Sequence, residues 1–523
     1  MKAVPASGRI PWRGLLCTLA VLVAFGLLLA TCTAVTHSGR TAGPVPSGTA
    51  SASASDAAIR VDLRRYYTQD PRWRPCPERS FQCASLRVPR DYAHPEAGDI
   101  ALSAIRRPAT GRGAARIGAL QINPGGPGLS AVDDLLAYAD SYSPSLRAAY
   151  DLVAVDPRGV GHSTPVECGA TGLPGAGTRG TRGTPPSDEA AVIDTWAAYH
   201  AEVAADCARR AGRLLPHVGT LDAARDMDVV RAVLGEDRLH FLGFSYGTYL
   251  GATYAELFPS RVGRVVLDGA VDPAMDGYHA YLNQARGYQI AWESFAADCA
   301  GRGHCPVGRS VEEAGRTLDA LVAALDRAPF RQGKDDRLDG EALLGAVVTA
   351  LRAPDWETLR SLLGGVRAGD TTVLREIVGS EDDAPGDESM TAVNCLSSAL
   401  ESRSTPAQTL AALPEFRRAS PQFGAFYNED LSTCAHWPAR PTQLPRRVSA
   451  HGAGPILVLG TTRDPATPYD QARALADQLS SGRLLTWDGD GHTAYQRGSR
   501  CVDTAVDDYL LHGLLPPTGA VCR

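Results

Sequence analysis

The sequence predicts an α/β fold: a mostly parallel sheet with helices on both faces and an inserted helical cap domain. Three features point that way. Short apolar, β-rich runs recur between helical patterns, at 117–122, 150–155, 239–242, 264–268 and 455–460. Strands alternating with helices in this way build a sheet covered on both sides. Between Gly277 and about Leu413 the pattern is helical, with no convincing strand. Finally, Ser245, Asp464 and His492 each follow one of the strand-like runs, and those three residue types cooperate in acyl transfer.

Length and charge set the bounds. A chain of 523 residues buries a large core and has room for more than one domain. Its hydrophobic share of 44% and charged share of 21% are those of a globular protein. The net charge of -6 is spread without long basic runs, which excludes a nucleic-acid partner.

Residues 1–34 read as an export signal. Lys2, Arg9 and Arg13 make a basic start, and Leu15 to Thr31 is almost wholly apolar. Leu29-Ala30-Thr31-Cys32 resembles a lipobox, so Cys32 is a candidate for lipidation, although Thr31 departs from the small residue usual before that cysteine. Cleavage near Ala34 and retention as a signal anchor are the alternatives. Each places the body of the protein outside the membrane, secreted or at the cell surface, with membrane contact only through an N-terminal anchor. Residues 35–60, rich in Ser, Ala, Gly, Thr and Pro, cannot form a core and read as a flexible linker.

Cysteine usage agrees with export. Apart from Cys17 and Cys32 the chain has Cys76, Cys83, Cys168, Cys207, Cys299, Cys305, Cys395, Cys434, Cys501 and Cys522. An even set in an exported chain reads as disulfide-bonded, and the spacing invites consecutive pairing without fixing it. There is no Cys-x-x-Cys, so metal and redox readings are weak.

Residues 61–273 are expected to form the first part of the core. Cys83–Pro89 and Ile100–Ile105 alternate as strands do, and Ile117–Ile122 runs into Asn123-Pro-Gly-Gly-Pro-Gly128. Tyr150–Val155 is followed by Asp156-Pro-Arg-Gly-Val-Gly-His-Ser163, and Thr220–Leu234 is helical with Asp222 placed to cap it. Next comes Gly243-Phe-Ser-Tyr-Gly247 between a strand and the helix Thr248–Phe258, then the strand Arg264–Asp268. Residues 274–430 form the expected cap, with helices at Tyr278–Ala300, Ser310–Leu325, Gly340–Leu351 and Trp356–Leu363. Residues 431–523 return to the sheet with strands Pro455–Gly460 and Leu484–Trp487 and helices Tyr469–Leu479 and Val502–Leu511.

The chemistry follows from this order. A G-x-S-x-G turn between strand and helix is a nucleophile elbow, with Ser245 at a strained apex. Serine attack needs a base to take its proton and a carboxylate to fix that base's tautomer. His492 and Asp464 lie after successive strands at the same sheet edge. Asp488 and Asp490 are nearer to His492 in sequence and are the rival acids; Asp464 is preferred because a separate strand end can face the other ring nitrogen. An oxyanion hole is expected from the amide of Tyr246 and the loop 123–128, where the prolines donate nothing and Gly126 is chosen over Gly125.

These motifs, with Phe258-Pro259, Val266-Leu-Asp-Gly-Ala-Val-Asp-Pro273 and Gly491-His-Thr493, resemble the proline iminopeptidase branch of the α/β-hydrolases. Within it they are most similar to the exported tripeptidyl aminopeptidases of actinomycetes, whose C-terminal region is TAP-like. The similarity spans Val61 to Cys522. It implies the α/β-hydrolase fold and an exported serine exopeptidase acting near free N-termini of short peptides or unstructured chains. It implies no metal or organic cofactor, and a helical cap that closes the far end of the cleft. One position departs: where such relatives carry an acidic residue after the cap cysteine, this chain has Ser397 in Ala392-Val-Asn-Cys-Leu-Ser-Ser398. Glu293 and Glu401 are the substitutes for receiving an ammonium group. A secreted carboxylesterase of the same fold is therefore the alternative, and a non-catalytic surface binding protein a more distant one.

Overall fold

The computed structural model describes residues 63–523 apart from 79, 112, 169–187, 332–336, 383–386, 398–400 and 442–444. The export signal, Cys17, Cys32 and the linker lie outside the described residues.

A ten-stranded sheet organises the chain. Its strands are β1 (Arg74–Pro75), β2 (Gln82–Pro89), β3 (Asp99–Arg107), β4 (Gly118–Asn123), β5 (Tyr150–Val155), β6 (Leu239–Phe244) and β7 (Val262–Asp268). A short antiparallel pair, β8 (Phe330–Arg331) with β9 (Arg337–Leu338), stands apart before β10 (Ile456–Arg463), β11 (Gly482–Asp490) and β12 (Val521–Cys522) rejoin the sheet. The order is β1-β2-β3-β5-β4-β6-β7-β10-β11-β12. Every pairing from β5 to β12 is parallel, and β1 to β3 form an antiparallel margin.

The apolar runs explain the parallel centre. All six residues of β4 are buried, and five of six in β5. Strands covered on both faces read as continuous hydrophobic runs rather than alternating ones. One face packs on Leu120, Leu152, Leu242 and Val506, the other on Phe241, Leu250, Val458 and Leu475.

The helical stretch from Gly277 to Glu429 has a core of its own, with Trp292, Phe295, Leu318, Leu343, Phe416 and Phe423 buried together. The sequence predicted no strand there; the two-residue pair β8–β9 is too short to show a period of two. Helix Thr220–Val233 begins after Gly219 with no side-chain cap. Asp222 sits inside its first turn and pairs with Arg225 at 2.6 Å instead. A carboxylate there still favours the helix through the positive N-terminal dipole. Five disulfides join consecutive cysteines: Cys76–Cys83, Cys168–Cys207, Cys299–Cys305, Cys395–Cys434 and Cys501–Cys522.

Arg158, in the loop after β5, is fully buried and satisfies all its donors. Its guanidinium bonds both carboxylate oxygens of Asp226 at 2.6 and 2.7 Å, and the carbonyls of Pro89, Arg90 and His217. A buried cation is tolerated only when paired and hydrogen-bonded in this way. Asp156, two residues earlier, accepts from Ser130 Oγ, Val132 N–H and His162 N–H, and so holds the chain that follows the loop 123–128.

Candidate active site

Five adjacent strands, β4, β6, β7, β10 and β11, deliver one polar loop each at their C-terminal ends. Ligands of open parallel sheets bind at that edge, where the strand order reverses. Here it reverses at β4, which is followed in the chain by β5 on one side and paired with β6 on the other.

Ser245 directly follows β6 and precedes the helix Tyr246–Leu257. Its backbone sits at φ 54°, ψ -123°, a region L-residues rarely enter, and its N–H donates to the Asp268 carbonyl at 2.8 Å. The tightness of the turn explains its glycines. A Cβ at Gly243 would lie 2.5 Å from the Gly247 carbonyl oxygen, and one at Gly247 would lie 2.8 Å from that of Asn123. Ser245 itself is buried.

His492, after β11, is buried and bonded to Asp464, after β10. Its Nδ1 lies 2.9 Å from Asp464 Oδ1 and 3.0 Å from Oδ2. The carboxylate also accepts from the N–H groups of Ala466, Thr467 and Thr493 and from the Thr467 hydroxyl. It is therefore a fixed acceptor that holds the proton on Nδ1 and leaves Nε2 as the basic nitrogen. Nε2 is buried and has no hydrogen-bond partner among the described residues. The ring abuts the serine turn through Gly269: a Cβ there would be 3.2 Å from His492 Cε1, and the preceding residue, Asp268, receives the Ser245 N–H.

The rival acids are engaged elsewhere. Arg463 bonds Asp490 at 2.8 and 3.0 Å and Asp488 at 2.9 Å, and Ser294 Oγ donates to Asp490 at 2.6 Å. It is Asp464 that meets the imidazole.

The loop after β4 presses on the elbow. A Cβ at Gly125 would fall 2.4 Å from the Phe244 carbonyl oxygen and 3.1 Å from the Tyr246 nitrogen. The Gly125 N–H donates to Asn123 Oδ1 at 3.1 Å. With prolines at 124 and 127, Gly126 and Gly128 hold the loop's other amides, and it is Gly125 that comes up against Tyr246 at the start of its helix. Helix-start amides have no intrahelical partner and are free to receive an anion.

The helical block touches this machinery directly. His492 N–H donates to the Arg352 carbonyl at 2.9 Å, and Gln284 Nε2 to that of Ala466 at 3.0 Å. Ser397 is buried and bonded to Thr220 at 2.7 Å. Of the acidic substitutes, Glu293 is exposed and accepts from Gln289 at 3.1 Å, while Glu401 pairs with Arg403. Among the described residues, no hydrogen bond or ion pair joins either one to Ser245, His492 or Asp464. Sequence reasoning missed Thr467, 3.1 Å from Asp464 and 3.3 Å from His492 Nδ1. The signal was available: an Asp on a loop binds its own chain two and three residues on, which brings a Thr at that spacing to its side.

Residues 420–522 match the family described as TAP-like protein. The chain is 36% identical over 490 residues to the serine protease Hip1 of Mycobacterium tuberculosis, covering 87% of this chain and 91% of the relative. It is 37% identical over 464 residues to carboxylesterase B of the same organism, covering 85% and 86%. It is 32% identical over 463 residues to the tripeptidyl aminopeptidase of Streptomyces lividans, covering 84% and 83%. This protein is a serine hydrolase and belongs to the TAP-like family of α/β-hydrolases.

Proposed function

We propose that the chain is an exported serine exopeptidase that hydrolyses peptide bonds near free N-termini through an acyl-enzyme. Ser245 Oγ attacks the scissile carbonyl as its proton passes to His492 Nε2, and Asp464 stabilises the resulting imidazolium through Nδ1. The Tyr246 and Gly126 amides receive the oxyanion. His492 then protonates the leaving amine, water takes the same route in reverse, and the acyl group is released. Residues 274–430 serve as the cap over this edge of the sheet. The observation that carries the reading is the buried His492–Asp464 pair beside a serine held at positive φ. The relatives named serine protease and tripeptidyl aminopeptidase support the peptide substrate. Five disulfides support an oxidising, extracytoplasmic location.

A second reading, a secreted carboxylesterase, is favoured by the carboxylesterase B relative and by a hydroxyl rather than a carboxylate at Ser397. Matched peptide anilides, free and N-blocked, assayed beside short acyl esters, separate the two. The exopeptidase should prefer the free peptide by at least about tenfold, the worth of one ion pair or charge-assisted hydrogen bond. Equal cleavage of blocked and free peptides, or turnover of esters alone, transfers the assignment to the esterase.

A further inference from the structure

A chain of buried hydroxyls runs from the helical block to the residue after Ser245. Tyr246 OH lies 2.8 Å from Thr220 Oγ1, Thr220 Oγ1 lies 2.7 Å from Ser397 Oγ, and Ser397 Oγ donates to the Val393 carbonyl at 2.7 Å. The residues are 3%, 3% and 1% exposed, so water does not substitute for a missing partner.

Proton counting fixes the direction. Each hydroxyl has a single hydrogen. Ser397 gives its own to the Val393 carbonyl and can only accept from Thr220. Thr220 is then committed to Ser397 and can only accept from Tyr246. The Tyr246 phenol is thus the donor at the head of a one-way chain that ends on a main-chain carbonyl of the helical block.

Tyr246 is therefore held at its hydroxyl end. Its N–H, at the first position of the helix, has no helical partner, while its hydroxyl is pinned about one side-chain length away. The hydroxyl chain crosses where the block and the core are in close contact: Thr220 starts a core helix, and a Cβ at the neighbouring Gly219 would lie 3.2 Å from Leu396. We propose that Ser397 and Thr220 are positioning residues for the oxyanion pocket, setting the Tyr246 amide through the Tyr246 hydroxyl. The inference rests on the acyl-enzyme reading above, in which that amide binds developing charge. Displacement of such a donor slows the chemical step without weakening ground-state binding.

The test uses a short acyl ester, 4-nitrophenyl butyrate, whose hydrolysis needs the oxyanion pocket but little of the cleft. Ser397→Ala strands the Thr220 proton, and Tyr246→Phe removes the head of the chain. Each should lower kcat about tenfold, as a misplaced reacting group does, with KM within about twofold. The double variant should lose no more than either alone, because both break one network. Ser397→Thr should restore kcat. Ser402→Ala is the control: it deletes a buried hydroxyl bond to the Leu431 carbonyl at 2.8 Å that does not reach the elbow. A merely structural chain predicts equal losses of Tm in Ser397→Ala and Ser402→Ala with kcat unchanged in both, and that result overturns the proposal. Ser245→Ala keeps the two levels apart. If it still turns over the ester, the assignment of Ser245 has failed; if it is dead while Ser397→Ala is unaffected, only the positioning role has.

Discussion

The main-chain carbonyl of Asp268 accepts the Ser245 N–H at 2.8 Å, while the carboxylate of the same residue accepts from Ala494 at 2.9 Å and Tyr495 at 2.8 Å. One buried residue at the end of β7 thus holds the serine turn on one side and the loop carrying His492 on the other. That loop needs holding: Thr493 and Gln496 both sit at positive φ, 69° and 63°, conformations that persist only when the surroundings over-determine them.

Asp268 should leave a pH signature. Burial, the largest influence, raises its carboxyl from 3.8 to about 6; the Tyr495 and Ala494 amides and the nearby His492 oppose the rise, and Asp464 adds to it. A folded-state value above the unfolded one means that protonation favours the fold. The contribution is complete below about pH 4 and is lost as pH rises through 6. The stability of wild type relative to Asp268→Asn should therefore fall across that window, by up to about 3 kcal/mol, and stay level above pH 7. Denaturant melts at pH 4, 5, 6 and 7.5 measure it, and a flat difference would show the carboxyl titrating normally.

Asp464→Asn should reduce kcat by about four orders of magnitude while the protein still folds. An amide in that place can present its N–H₂ to Nδ1 and impose the wrong tautomer, the effect that costs about 10⁴ in other Ser-His-Asp enzymes. Retention of a tenth of wild-type kcat would mean that Asp488 or Asp490 takes over, which requires either to leave Arg463.

Ser245 holds its place at the apex of the turn under backbone strain, so removing its Cβ should help the fold. Ser245→Ala keeps the Cβ at φ 54° and should leave Tm nearly unchanged with turnover abolished. Ser245→Gly relieves the strain, worth about 1–3 kcal/mol, less the entropy that glycine adds to the unfolded chain. A net gain of about 1 kcal/mol over Ser245→Ala in urea unfolding is expected. Loss of stability in both variants would make Ser245 a structural residue.

The central sheet was legible because its signals are local. Short apolar runs such as Ile117–Ile122, closed by turn residues, read as strands buried on both faces, and a glycine–serine–glycine turn between strand and helix states its own geometry. The preference for Asp464 over Asp488 and Asp490 also follows from strand order, since two strand ends can face one another and a residue cannot easily turn back on its own loop. What stayed hidden depends on contact across long sequence separations. Arg463, adjacent to Asp464, gives no sign in the sequence that it will bind both rival acids. Asp268 shows only as a polar residue closing a strand, with no hint that its partners lie more than two hundred residues later. The Thr220–Ser397 bond joins segments that only the packing of the helical block brings together.

Gly287 tests whether the helical block supports the acid or merely covers it. The residue lies within helix Gly277–Gly301, and a Cβ there would be 2.5 Å from the Pro465 carbonyl oxygen, 2.6 Å from Pro468 Cγ and 3.1 Å from the Asp464 carbonyl oxygen. Contacts under 3 Å against main chain cannot be absorbed by a rotamer change, so Gly287→Ala must push the helix away or move the loop that carries Asp464. Overpacking of this kind costs about 1–3 kcal/mol, and a shift of the acid by a fraction of an ångström should lower kcat more than tenfold. Gly379→Ala is the matched control, a helical glycine with open space around its Cβ position; it should gain about 0.5–1 kcal/mol from helix propensity with kcat unaltered. Measured side by side, equal behaviour of the two variants would mean that the helix rests on the Asp464 loop without bearing on it. A kcat loss confined to Gly287→Ala makes the block part of the catalytic framework, which therefore cannot swing open as one rigid lid without dismantling the acid–base pair beneath it.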